Sequence, residues 1–190
     1  MERIYIEDKK FENIDFSEKT LPEADYDNCS FVNCNFSNTD LYKVVFSECE
    51  FDACNLSLVK MEKTALKDIQ FKDCKLMGVH FENCDEFLFA VNFENCLLNL
   101  SSFYKRKLKK AKFINCNLQE ADFVESDLSA SVFDNCDLAK AIFQNTILEK
   151  ADFRTSYNYS INPELNKIKK AQFSIPAVTG LLDKYDIEIE

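Results

Sequence analysis

The sequence has no tryptophan, two glycines, three prolines and one histidine in 190 residues. Chains that turn in the ordinary way draw on glycine and proline. This one is therefore either mostly helical or turns by a repeated geometry that asparagine, serine and aspartate tolerate. The lone His80 gives buried thiols or serines no partner for nucleophilic catalysis, and Gly78 and Gly180 cannot make a phosphate-cradling loop. No apolar run approaches the roughly 18 residues of a membrane span, and Met1–Asp8 is no signal-peptide core. Basic residues are outnumbered, 23 against 33 acids, so the net charge of −10 argues against direct nucleic-acid binding.

Phenylalanine is abundant, with 18 copies, and it falls on a strict period. Steps of five from Phe11 reach Phe16, Leu21, Tyr26, Phe31, Phe36, Leu41, Phe46, Phe51, Leu56, Met61, Leu66, Phe71, Leu76 and Phe81. A second register runs from Phe93 through Leu98, Phe103, Leu108, Phe113, Leu118, Phe123, Leu128, Phe133, Leu138, Phe143 and Leu148 to Phe153. A period of five fits neither a helix nor a strand. Two residues before each centre the chain prefers something small, as at Ala24, Cys29, Thr64, Ser101, Ala121 and Cys136. Each pentad thus buries one large and one small side chain and shows three outward.

The nine cysteines take that small inward position, with Cys84 assigned to it through the broken pentad. They behave as small hydrophobes, without the clustered ligand set of a zinc site, so no metal or cofactor is expected. Unpaired thiols in this number point to a reducing, cytoplasmic setting. Cys34, Cys54, Cys74, Cys96, Cys116 and Cys136 are spaced 20, 20, 22, 20 and 20. Four pentads therefore close one coil, each coil has four sides, and these cysteines form a ladder. The 22 locates a two-residue insertion within 82–92.

The triplets Ala121-Asp122-Phe123 and Ala151-Asp152-Phe153 carry the A(D/N)(F/L) pattern, and over about residues 11–156 the chain resembles the pentapeptide-repeat family. That resemblance implies an all-β fold, a right-handed quadrilateral β-helix of about seven coils, over residues 1–156. Residues 157–190 are expected to form a C-terminal loop and cap, and by family likeness a dimerisation segment.

Three breaks carry further expectations. At Cys84–Asn92, Phe87 fills the missing centre and the extra residues bulge, either as a recognition loop or as a coil defect. In the basic run Lys105–Lys112, Arg106 stands where a small residue belongs, so Asp85 or Glu86 is its expected salt-bridge partner. The run itself reads as a solvated face or as a patch for an acidic partner. After Tyr157 the pentads fail and Pro163 cannot donate to a ladder. A loop there should lead to a strand-like piece at 168–173, a short helix at 177–184 opened by Pro176, and a closing strand through Ile187 and Ile189.

The tail resembles that of dimeric Qnr-type, topoisomerase-protecting members. By that likeness Phe173, Val178, Leu181, Leu182, Tyr185, Ile187 and Ile189 join two copies; a monomeric cap is the alternative. Between Phe113 and Leu138 lie Glu120, Asp122, Glu125, Asp127, Asp134 and Asp137 without one lysine or arginine. Negative charge recurring along a rod imitates duplex DNA. The Qnr-type likeness then implies a DNA mimic that engages DNA gyrase or topoisomerase IV through this acidic face. The rival expectation is a scaffold rod for another protein partner. Neither reading is enzymatic.

Overall fold

The computed structural model describes residues 4–189. Residues 1–3 and 190, the outermost ends of the two predicted segments, lie outside that range. Short parallel strands stack into a right-handed, four-sided solenoid, with about seven coils before residue 157.

On the first side, β1 (Ile4–Glu7), β3 (Ala24–Asp27), β5 (Val45–Ser47) and β7 (Ala65–Lys67) form a four-stranded parallel sheet. On the second side, β2 (Lys10–Glu12), β4 (Ser30–Val32), β6 (Glu50–Asp52), β8 (Ile69–Lys72), β9 (Val91–Glu94), β10 (Lys112–Ile114) and β11 (Val132–Asp134) form a seven-stranded one. Single parallel bridges stitch the other two sides, Asp15–Asn35–Asn55–Lys75–Leu97–Asn117–Asp137–Tyr157 on the third and His80–Ser102–Asp122–Ile142 on the fourth.

The register is set by the centres. Phe31, Phe51, Phe71, Phe93, Phe113 and Phe133 are directly paired, and their rings stack at centroid distances of 4.8, 5.1, 5.3, 5.2 and 4.8 Å. That is the spacing between neighbouring strands. Rings on adjacent sides meet edge to face, as Phe113 and Phe123 do at 5.9 Å, a favourable aromatic geometry. Every centre of the two five-residue registers is buried except Phe11, which is partly covered in the first coil. All nine cysteines are buried and unpaired.

The scarcity of glycine has a direct explanation. The residue two after the centre sits in the left-handed region in most pentads, from Asn13 (φ 55°) and Asn33 (φ 49°) to Lys140 (φ 58°) and Lys150 (φ 61°). Such a position normally favours glycine; here asparagine, lysine, glutamate and even leucine take it. Gly78 holds the same position at φ 65°, and a Cβ there would come 2.7 Å from the tip of the exposed Leu58 side chain, which would have to move aside.

The ladder does not end at 156. Tyr157, Lys167 and Gln172 each bridge to the coil before, and Phe173 stacks on Phe153 at 5.5 Å. Residues 157–173 are therefore a further, looser coil with Tyr159 and Ile161 buried in it, and Asn166 inward at the small position. Two short 3-10 turns follow at Val178–Leu181 and Asp183–Tyr185 in place of the expected helix. Gly180 passes directly beneath Tyr159, leaving no room for a Cβ. Ile187 and Ile189 form no strand.

Candidate functional site

The two-residue insertion falls where the cysteine spacing put it. Coils on either side keep their pairing, since Phe71 meets Phe93 and Ile69 meets Val91. Phe87 does not fill the gap: it is 68% exposed, as is Leu88 at 63%. Phe89 packs partly against the core instead, edge to face with Phe81 at 6.4 Å.

Arg106 is buried, but Asp85 and Glu86 do not pair with it. Its Nη2 donates to the Glu82 carbonyl oxygen, and its guanidinium lies 5.4 Å from the centre of the Phe89 ring. The inward direction of the small position carries it under the bulge, away from the outward acids. Asp85 is occupied in its own turn, accepting from Phe87 N at 2.7 Å.

The six acids between 120 and 137 do not form one face. The stretch spans nearly a whole coil, so it winds around the rod. Asp122 is on the fourth side, Asp127 on the first, Asp134 on the second and Asp137 on the third. Several are tied up locally. Asp122, Asp127 and Asp137 accept the backbone N–H two residues ahead at 2.8, 3.1 and 3.1 Å. Lys109 reaches Asp127 at 3.2 Å and Lys105 reaches Glu125 at 3.5 Å. Burial raises the Asp127 pKa, but the Ser129 and Lys109 contacts outweigh it and hold the carboxyl below its usual value. Aspartate just before a centre is thus largely turn chemistry.

Stacking assembles a different acidic surface. Across the first and second sides of the first four coils stand Glu7, Asp8, Glu12, Asp25, Asp27, Glu48, Glu50, Asp52, Asp68 and Asp73, against Lys9, Lys10, Lys67 and Lys72. Tyr5 donates to Asp27 at 2.6 Å, which raises the phenol pKa to about 12. The signal in sequence was the charge of residues 1–85, with 18 acids and 10 bases.

The first side changes sign along its length. Before the bulge its outward positions hold six carboxylates (Glu7, Asp8, Asp25, Asp27, Glu48, Asp68) against Lys67, a net of −5. Beyond it they hold seven lysines (Lys107, Lys109, Lys110, Lys150, Lys167, Lys169, Lys170) against Asp127 and Glu149, a net of +5.

In the tail, Phe173 and Leu181 turn inward onto the rod's own end, while Val178, Tyr185, Ile187 and Ile189 are exposed. Leu182 is intermediate and lines a surface hollow with Ile187 and Ile189. Among the described residues no cluster of histidine, cysteine and acids could hold a metal ion, and no helix is long and apolar enough to cross a membrane.

A rod of parallel coils with one large and one small inward residue per pentad is a right-handed β-solenoid built from pentapeptides. The pentapeptide repeat region family matches residues 24–86 and 87–160, and the chain belongs to that family. Among solved structures it is similar to full-length QnrB1, a plasmid-mediated fluoroquinolone resistance protein, at 15% identity and a TM-score of 0.55. That match covers 96% of this chain and 100% of QnrB1. It is also similar to HetL of the cyanobacterium Nostoc sp. strain PCC 7120, a pentapeptide repeat protein involved in heterocyst differentiation regulation. There the identity is 17%, the TM-score 0.34, and 91% of this chain and 87% of HetL are covered. No curated protein matches the sequence.

Proposed function

We propose that this chain is a non-catalytic rod that binds a protein partner through its acidic N-terminal coils, and that the partner is a type II topoisomerase. The observation that carries the reading is the run of carboxylates on two adjacent sides of the first four coils. They repeat at about 4.8 Å along the rod, so a basic DNA-binding groove would meet a regular negative surface. The Qnr-type likeness of the sequence supports the choice of enzyme. The exposed tail residues Val178, Tyr185, Ile187 and Ile189 support a two-fold contact that lengthens the rod.

The basic half of the first side favours a second reading, a scaffold for an unrelated partner, because a DNA mimic has no use for it. A gyrase supercoiling assay separates the two, with the purified protein at tens of micromolar, with and without a fluoroquinolone. The topoisomerase reading expects inhibition or protection that is lost when Asp8, Asp27, Glu48 and Glu50 are changed to Lys. The same reversal at Glu120, Asp122, Glu125 and Asp127 should leave it largely intact. A wild-type protein without effect on gyrase or topoisomerase IV leaves the scaffold reading.

A further inference from the structure

The first side is built of nine rungs, with inward residues Ile6, Tyr26, Phe46, Leu66, the bulge, Leu108, Leu128, Leu148 and Ile168. Four rungs precede the bulge and four follow it. The acidic half lies on one flank, the basic half on the other, and the exposed Phe87 and Leu88 stand between them. In net charge the two halves are complementary about the midpoint, chiefly through Glu7 and Asp8 of rung one and Lys167, Lys169 and Lys170 of rung nine; rungs three and seven carry like charges, Glu48 and Asp127, and Lys67 of rung four falls opposite the lysines of rung six.

We propose that this side is an interface with a second copy of the chain, laid antiparallel about a two-fold axis passing close to Phe87 and Leu88. Turning one rod end for end on the other sets rung one against rung nine and rung four against rung six. Glu7 and Asp8 then face the partner's lysine rung at 167–170, and the same contact recurs at the opposite end. A parallel pair would set the acids of rungs one and two and the lysines of rungs six and nine on their own copies, which costs free energy at each of those rungs. A staggered pair would satisfy one half of each copy and leave the other free, giving open chains; only the antiparallel arrangement uses both halves and closes. The bulge supplies the part that charge cannot. Two apolar side chains from each copy meet at the axis and lose water there, in the centre of the patch where burial matters most.

The strip is about 38 Å long at ~4.8 Å per rung and only one pentad wide, below the size of most stable interfaces. The association is therefore weak, and it depends on salt because its polar part is exposed ion pairing. It also covers half of the surface assigned above to the topoisomerase, so self-association and capture of a basic partner exclude one another. The inference does not depend on that assignment.

The test is sedimentation at tens of micromolar in ~50 mM and ~500 mM salt, with tail contacts removed by Leu182→Asp. The mass is expected to fall from about twice the chain's 22.1 kDa to the chain mass as salt is raised. Two further variants of that protein, Glu7→Lys with Asp8→Lys and Lys169→Glu with Lys170→Glu, should each stay at the chain mass in ~50 mM salt. Mixed together they should pair again, which also shows that both are folded. The proposal is overturned if no salt-dependent step is seen, if neither variant weakens it, or if the mixture remains at the chain mass.

Discussion

Burial, above all, pushes the Cys49 and Cys84 thiols up to about 12. The cause is the small inward position, which surrounds sulfur with apolar rings and offers only weak acceptors, such as the Phe31 carbonyl at 3.2 Å from Cys54 Sγ. A thiol whose folded pKa lies above its unfolded value near 9 favours the fold fully below pH ~9 and loses that contribution as pH climbs toward 12. The urea midpoint should therefore hold steady from about pH 7 to 8.5 and fall between about 9 and 11. Replacing Cys49 by Ala should flatten part of that fall. A midpoint indifferent to pH across this window would mean that the thiols are less confined than the packing indicates. Which residues point inward was legible in the sequence, because a five-residue period leaves no second solution. Which of Phe87 and Phe89 fills the broken pentad was not, since an insertion has no period of its own.

Elements in this fold are too short to stand alone, and side chains stacked across them add to the backbone ladder. At the corner after the second side, asparagines in the left-handed conformation bond from coil to coil. Asn33 donates to Asn13 at 2.6 Å, Asn95 to Asp73 at 3.0 Å, Asn115 to Asn95 at 3.1 Å and Asn135 to Asn115 at 2.9 Å. Ala53, at φ 53°, interrupts the row. Ala53→Asn should raise unfolding free energy by about 1 kcal/mol, from the easier left-handed backbone and one added hydrogen bond to Asn33. Urea denaturation of the two proteins checks it, and a loss of stability would show that the row is incidental. The coil at 157–173 escaped the sequence reading for a related reason. Asn158 and Pro163 occupy its first two centres, so large apolar residues are missing while the backbone pairing continues.

Across the whole molecule, backbone bonds between coils reach residues about 20 positions away, as from Asn117 N to Cys96 O and Asp137 N to Cys116 O. Stability is then close to a sum over neighbouring coils. Deleting residues 112–131 sets Phe133 on Phe93 and Cys136 on Cys96 without a register change. The shortened protein should fold to the same β-sheet signal and melt within several degrees of the parent; a molten or aggregated product would show that the coils are not interchangeable. Faces follow the longer period of four pentads, which is why the six acids do not make the single face the sequence suggested. The positions from 120 to 137 span most of a coil and cannot share a side. Glu7 and Asp27 recur a coil apart, Glu48 lies one residue past the next rung, and all three share one.

The bulge at 84–90 shows how the solenoid treats a change of frame. Two residues enter, and by β9 the next strand lies on its neighbour as though they had not. The loop begins and ends on one side of one coil, so lengthening it adds closure entropy that grows only with the logarithm of its length. A foreign peptide spliced between Phe87 and Leu88 would be displayed at the middle of a rigid shaft whose own reading frame is untouched.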